Sequence, residues 1–137
     1  SIRTRESLRD TEQRIADLAL LGKQIDTYRK LKPVYDRYKA SKDKEKFLRG
    51  FESEIILFEA AAREIKKAGL TRLPSSDKVK AELEGLSARK AALQAELRKI
   101  QREEKEYDTL RQNVDSLLER SDEQNQEHRR EHITGLE

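Results

Sequence analysis

The sequence predicts an all-α fold in which a long antiparallel coiled-coil stalk carries a small helical head. The first observation is composition, since 42% of the 137 residues are charged and 34% are hydrophobic, as in long helices and coiled coils. The second is that apolar residues recur at helical spacing, a regularity that disordered chains of similar composition usually lack. The chain also has no Cys, which excludes a disulfide framework and a thiolate metal site.

The first helix is predicted over residues 2–40. Its apolar residues follow helical steps and form one stripe: Leu8, Ile15, Leu18, Leu21, Ile25, Tyr28, Tyr35 and Tyr38. Gly22 weakens this helix slightly. Pro33 removes one backbone hydrogen bond and crowds the carbonyl four residues earlier. We therefore expect a kink or break near Leu31 and Lys32.

The second helix is predicted over residues 43–68, with Ser41 as a plausible N-cap. A buried face is expected from the spacing of Leu48, Phe51, Ile55, Phe58, Ala62 and Ile65. Three further apolar residues, Ile56, Leu57 and Ala61, widen this face, which indicates burial against more than one neighbour. Gly69 suits a left-handed C-terminal cap.

The third helix is predicted over residues 76–120, after a turn at Leu70–Asp77 in which Ser75 or Ser76 can cap it. Its heptad positions are Val79, Leu83, Leu86, Lys90, Leu93, Leu97, Ile100, Glu104, Tyr107, Arg111, Val114 and Leu118. Nine of these twelve positions are apolar, and Leu110 and Leu117 lie beside them. A sustained seven-residue repeat with charged flanks predicts left-handed coiled-coil packing.

The narrow stripes of helices one and three favour pairing with each other. The arms, about residues 2–30 and 86–120, would form the stalk, and the intervening segment with helix two would form the head. An up-down-up three-helix bundle is the alternative, and it would leave a heptad seam for a second chain. We expect a single helical domain over residues 1–120 and a polar, flexible tail over residues 121–137.

A basic segment from Tyr28 to Arg49 contains nine basic and three acidic residues, a local net charge of +6. Clustered Lys and Arg attract phosphate backbones without reading base sequence. A charged surface that serves only solubility is the alternative interpretation. The candidate nucleic-acid-binding residues are Arg29, Lys30, Lys32, Arg37, Lys39, Lys42, Lys44 and Lys46.

Other candidate sites are weaker. Tyr35 and Tyr38 lack a nearby base or metal cluster that could activate a tyrosine nucleophile, so we expect their rings to pack. His128 and His132 are four residues apart, but two ligands are too few for a metal site and Arg129 and Arg130 disfavour a cation. We assign no catalytic residues, no metal site and no cofactor.

No apolar run is long enough to span a membrane, and the N-terminus is not a signal peptide. We expect a cytoplasmic protein. Because the sequence starts at Ser1 inside a helical pattern, we also expect it to be a fragment of a longer protein.

From Ile15 to Leu118 the chain resembles the C-terminal helical region of relaxase/mobilisation proteins from conjugative and mobilisable elements of Gram-positive gut bacteria. The resemblance is carried by YRKLKPVYDRYKASKDKEKFLRGFESEIILFEAAAREIKKAGLTRLPSSDKVKAELEGL and by the later run EYDTLRQNVDSLLE. It is an ordered string of short matches, and Pro33 departs from the helix former expected at its position.

The resemblance implies a DNA-nicking parent whose separate N-terminal domain holds a tyrosine nucleophile and a His-bound metal. None of that machinery has a counterpart here. It therefore implies a non-catalytic accessory region that contacts DNA or other proteins of the relaxosome and conjugation apparatus. The alternative is a structural coiled coil that sets a distance or drives dimerisation, so that a monomer and a homodimer both remain open.

Overall fold

The computed structural model of the protein describes the backbone of residues 1–135 and the side chains of residues 1–133. It contains three helices: α1 is Ile2–Ala40, α2 is Lys44–Lys67 and α3 is Ser76–Gly135. No strand occurs in the described part of the chain. The prediction of an all-α fold is confirmed, and the bounds of α1 match the predicted ones.

Helix α1 is continuous through Pro33, so the expectation of a break is wrong, and that of a kink stays a prediction. A proline inside a helix costs about 3 kcal/mol because a hydrogen bond is lost and the ring crowds the previous turn. Packing on both sides of Pro33 offsets this cost, since Tyr28 and Tyr35 both stack on Phe58 of α2. Tertiary contacts therefore hold the helix together across the position where local sequence disfavours it.

Helix α2 runs antiparallel to α1. Tyr38 lies near Phe47 at the connected ends of the two helices, and Tyr28 lies on Phe58 further along. The N-cap is Asp43 and not the predicted Ser41, because the Asp43 carboxylate accepts a hydrogen bond from the Lys46 backbone N–H at 3.1 Å. The hydroxyl of Ser41 instead donates to the Asp43 carbonyl at 3.1 Å.

The backbone of α2 leaves helical geometry at Phe51, where φ is −132° and ψ is 27°. Gly50 precedes this kink and lowers helix propensity locally. The ring of Phe51 stacks on that of Phe47 with centroids 4.7 Å apart. The interruption therefore lies in α2 beside the glycine and not in α1 at the proline.

The predicted helix-stop and helix-start signals between α2 and α3 are present. Gly69 has φ +72°, the left-handed conformation that glycine adopts without strain. Ser75 caps α3 by accepting a hydrogen bond from the Lys78 N–H at 3.1 Å. Both assignments confirm what the sequence predicts for this turn.

The first part of α3 packs antiparallel to α1. Gly22 of α1 faces Val79 of α3, and Glu12 of α1 lies 3.9 Å from the Lys90 ammonium. Pairing thus begins near the start of α3, earlier than the predicted arm at residue 86. Val79 is buried, and the heptad positions Leu83, Leu86, Lys90 and Leu93 are half-buried, which confirms the predicted register over this part.

The core within Ile2–Leu93 is small and lies between the helices. Its buried hydrophobic residues are Leu18, Ile25, Ile55, Phe58, Ala61, Ile65 and Val79. The predicted widening of the α2 face is wrong for Ile56 and Leu57, which are 56% and 55% exposed. At these two positions α2 is covered only on the side that faces α1, and both side chains point away from α1.

Two buried polar residues were absent from the predicted stripe of α1. Thr4 and Thr11 are 7% and 5% exposed, and they continue the seven-residue line of Leu18 and Ile25 towards the N-terminus. The Thr11 hydroxyl donates to the Ser7 carbonyl at 2.7 Å, so its burial leaves no polar group unpaired. Threonine therefore serves as a core residue here.

Helix α3 ends at Gly135, fifteen residues after the predicted end at Arg120. Residues 121–133 contain no Gly or Pro and are rich in Glu, Gln and Arg, so local propensity alone sustains the helix. The predicted flexibility of the tail stays a prediction, and its last two residues, 136 and 137, lie outside the described part. The sequence predicts one domain over residues 1–120, whereas the contacts group Ile2–Leu93 as one unit and place the chain from Gln94 onward in another.

Within the described residues, no helix combines the length and the apolar character that a membrane crossing needs.

Candidate nucleic-acid interface

A continuous series of aromatic rings forms the base of the basic segment. Phe58 of α2 stacks on Tyr28 and Tyr35 of α1, with centroid distances of 4.7 and 4.3 Å and planes inclined by 25°. The series continues from Tyr35 to Tyr38 at 6.1 Å and from Tyr38 to Phe47 at 6.1 Å. These rings join the two helices, as predicted for Tyr35 and Tyr38, and they fix the backbone that carries the basic side chains.

Two of the candidate cations lie over this aromatic series. The guanidinium of Arg37 is 5.7 Å from the Phe47 centroid and 5.5 Å from the Phe51 centroid. The ammonium of Lys39 is 5.4 Å from the Tyr35 centroid. All three distances suit cation–π attraction, worth about 0.5–1 kcal/mol at an exposed site. Arg37 and Lys39 therefore have a structural role and still remain exposed to solvent.

Arg29 of α1 binds the connection between α2 and α3 through hydrogen bonds. Its Nη2 atom donates to the carbonyl of Pro74 at 2.7 Å and to that of Leu73 at 3.3 Å. The fork of donors on a guanidinium suits two neighbouring acceptors of this kind. Arg29 is thus engaged by the protein itself, which sets it apart from the other candidates.

Lys32 forms an ion pair one turn along α1. Its ammonium donates to the two Asp36 carboxylate oxygens at 3.0 and 3.3 Å. This hydrogen bond, and then the attraction of the Asp36 charge, raise the pKa of Lys32 above the ordinary lysine value of 10.5. The neighbouring carboxylate also reduces the local positive field that Lys32 offers to an anion.

Four of the eight candidate residues remain uncommitted. Lys30, Lys42, Lys44 and Lys46 are exposed, and among the described residues no side-chain hydrogen bond or ion pair engages their ammonium groups. Lys44 and Lys46 lie in the first turn of α2, where the helix dipole disfavours cations. Helix stability therefore does not account for these lysines, unlike Arg37 and Lys39, which lie in the favourable last turn of α1.

The eight residues do not form one surface with one role. Three of them bind the protein's own rings or carbonyls, one is paired, and four point free charges into solvent. The sequence locates the basic segment but does not show the role of each residue in it. Asp36 lies one turn from Lys32, Pro74 lies on a distant loop, and the rings that Arg37 contacts lie on another helix. The free lysines nearest the connection between α1 and α2 are the part of the segment best suited to attract a polyanion.

Among the described residues, the other candidates have no neighbouring groups that suit metal binding or catalysis. The described residues contain no group of three or more His, Asp or Glu that could hold a metal ion. In α3, His128 Nδ1 lies 3.9 Å from the exposed Glu131 carboxylate. The rings of Tyr35 and Tyr38 take part in the aromatic series described above.

Helix α3 carries a second surface of a different kind, which lies in the unit that begins at Gln94. Five large apolar side chains between residues 107 and 118 are each between 46% and 64% exposed: Tyr107, Leu110, Val114, Leu117 and Leu118. We call these five residues the apolar stripe of α3. The predicted heptad register includes three of them, yet in the described structure none of them is buried.

Comparison with protein-family models, with curated proteins and with solved structures finds no match for this chain. The resemblance to the helical region of relaxases therefore stays a prediction.

Proposed function

We propose that the chain is a non-catalytic helical accessory region of a DNA relaxase involved in plasmid or conjugative-element mobilisation, contacting DNA or partner proteins of the transfer machinery. The observation that carries the DNA contact is the group of four free lysines, Lys30, Lys42, Lys44 and Lys46. Two of them occupy a helix end where they have no favourable intramolecular role. Their charges are thus available to phosphate groups.

The mechanism is electrostatic. Lysine ammonium groups that neutralise phosphates release condensed counterions, so binding is strong at low salt and falls steeply as salt rises. Contacts of this type fix position on a duplex without reading base sequence. We expect the accessory region to hold DNA near a catalytic domain, with little sequence preference of its own.

The test is a fluorescence-anisotropy titration of a labelled DNA duplex between about 50 and 200 mM salt. The variant replaces Lys30, Lys42, Lys44 and Lys46 by Glu. Two of these substitutions place an acid in the first turn of α2, where the dipole favours it, so we expect the fold to persist. Binding should be lost at all salt concentrations.

A matched control replaces four other exposed lysines, Lys66, Lys80, Lys99 and Lys105, by Glu, which changes the net charge equally. This control should retain binding at low salt. If both variants lose the same affinity, only the overall charge matters and the assignment to the basic segment is wrong. If the unmodified chain does not bind at low salt, the DNA contact itself is wrong.

The second candidate function is a structural coiled-coil module that acts as a spacer or drives dimerisation. The exposed apolar stripe of α3 favours it, because large apolar side chains at heptad spacing suit a second helix. Sedimentation over a range of protein concentrations tests it. A tight dimer supports the dimerisation role, and a strict monomer rules out association through a second copy.

A further inference from the structure

The apolar stripe of α3 is compact and linear. Its five side chains lie within Tyr107–Leu118, about 18 Å of helix at the usual rise per residue. Every described residue from 101 to 133 is exposed, so the stripe has no partner within this part of the chain. Such clustering differs from the single exposed apolar residues that any surface carries.

Acidic side chains border the stripe on one side. Asp108, Asp115 and Asp122 are spaced by seven residues, which sets them on one line about 10.5 Å apart. Glu104 and Arg111 lie next to this line, at heptad positions of the seam itself. The border therefore carries three carboxylates and no cation.

The other side of the stripe offers no compensating row of cations. Glu106, Asn113 and Arg120 lie there at seven-residue spacing, so this side carries one carboxylate and one guanidinium. Border residues of a coiled coil face the borders of the partner helix and decide which partner is accepted. The stripe thus carries an acidic border on one side only.

Pairing of this stripe with the same stripe of a second copy is disfavoured by these charges. In an antiparallel pair the aspartate line would meet itself. In a parallel pair it would meet the line of Glu103 and the stripe residues Leu110 and Leu117, which contains no cation. Glu104 and Arg111 would also occupy the seam, where burying charge is costly. The stripe is therefore built for a different helix.

We propose that the α3 segment from Glu104 to Asp122 is a docking surface for one helix of another protein, whose apolar stripe is bordered by Lys or Arg. This inference rests on the second candidate function, a coiled-coil module, and names its partner by chemistry. The apolar contacts supply affinity, and the aspartate line selects a basic border and fixes the register of the partner helix.

The test uses two designed helical peptides of equal length with the same leucine seam, one with Lys and one with Glu at the border positions. Binding to the full chain is measured by fluorescence anisotropy of labelled peptide. The Lys-bordered peptide should bind at least about ten-fold more tightly, and this preference should shrink as salt rises. Replacing Val114 and Leu117 by Glu should abolish its binding.

A charge-reversal variant makes the test specific. Asp108, Asp115 and Asp122 are replaced by Lys, and the variant should then prefer the Glu-bordered peptide. The matched control replaces Glu52, Glu59 and Glu84, which are exposed and lie outside the segment, by Lys and changes the net charge equally. That control should keep the original preference. Circular dichroism checks that each variant remains helical.

Equal binding of the two peptides, or a reversal of preference in the control as well, overturns the acidic-border proposal and leaves a generic coiled-coil module. Self-association of the unmodified chain that Val114→Glu and Leu117→Glu abolish shows that a second copy is the occupant, which also overturns it. If neither peptide binds and the chain stays monomeric, the docking proposal is overturned and the dimerisation role fails as well. DNA binding is measured separately and is not decided by these outcomes.

Discussion

The ring of Phe58 stacks on the ring of Tyr35 with a centroid distance of 4.3 Å, and Tyr28 stacks on the same phenylalanine at 4.7 Å. Tyr28 and Tyr35 are two turns apart on α1, with Pro33 between them. One side chain of α2 therefore joins the turns on both sides of the proline. Phe58 is only 5% exposed, so this contact is also the centre of the interface between α1 and α2.

Phe58→Ala should lower the free energy of unfolding by about 3–5 kcal/mol, because it leaves a cavity and removes both stacking contacts. Urea denaturation followed by circular dichroism measures the change. Ile56→Ala is the control, since this exposed side chain on the same helix should contribute less than about 0.5 kcal/mol. A similar loss in both variants would contradict the central role of Phe58.

Pro33→Ala should stabilise the protein by about 1–3 kcal/mol. Alanine restores a backbone N–H within a continuous helix and removes the steric conflict with the preceding turn. The greater freedom of the unfolded chain reduces the gain slightly. Lys30→Ala on the same helix is the control and should change stability little. A destabilised Pro33→Ala variant would mean that the proline geometry is itself required for the aromatic contacts.

Gly22→Leu should destabilise the contact between α1 and the start of α3 by about 1–3 kcal/mol. A Cβ atom at residue 22 would already lie 3.1 Å from Val79 Cγ1, so a larger side chain forces the helices apart. Gly85→Ala is the opposite case, because no atom lies within 4 Å of its Cβ position. That variant should gain about 0.5–1 kcal/mol from helix propensity. Thermal unfolding distinguishes the two, and a neutral Gly22→Leu would contradict the close approach.

Arg29→Ala should loosen the connection between α2 and α3. The variant loses both hydrogen bonds to the carbonyls of Leu73 and Pro74. Amide hydrogen exchange at residues 70–73 should accelerate, while exchange in the middle of α2 should not change. Arg29→Lys should restore the protection only in part, because an ammonium lacks the planar fork. Full protection in the alanine variant would show that the loop is held by other contacts.

The Lys32–Asp36 pair has a measurable pH signature. The pKa of Lys32 is raised in the folded state above the ordinary value of 10.5. The pair therefore contributes its full stability below pH 10.5, and this contribution is lost as the pH rises through the folded-state pKa. Asp36→Asn should lower the pKa of Lys32, as followed by NMR of its side chain. Asp17→Asn, at a distance along α1, should leave it unchanged. An unaltered Lys32 pKa in Asp36→Asn would contradict the pairing.

Much of the secondary structure could be predicted from local signals. The bounds of α1, the Gly69 cap and the Ser75 cap follow from backbone chemistry that acts within a few residues. The heptad register of α3 is equally local, and it holds from Val79 to Leu93. The predicted end of α3 is too early, because the apolar repeat ends there while helix propensity continues the helix through residues rich in Glu, Gln and Arg.

The candidate site could be located from the sequence but not resolved into roles. The sequence shows the basic segment as an excess of Lys and Arg over Asp and Glu. Whether a given cation is free depends in part on groups from other elements, such as the α2 rings over which Arg37 lies and the carbonyls that Arg29 binds. Only the folded arrangement separates these residues from Lys42, Lys44 and Lys46.

By itself, the sequence determined the class of the fold, the places where the helices start and turn, and the apolar period of each helix, because these depend on interactions between near neighbours in the chain. The tertiary structure decided the continuity of α1 at Pro33, the exposure of Ile56 and Leu57, and the burial of Thr4 and Thr11. Each of these depends on what lies across an interface. A periodic pattern shows that a face can be buried, but only the packing of the helices shows which part of that face is covered.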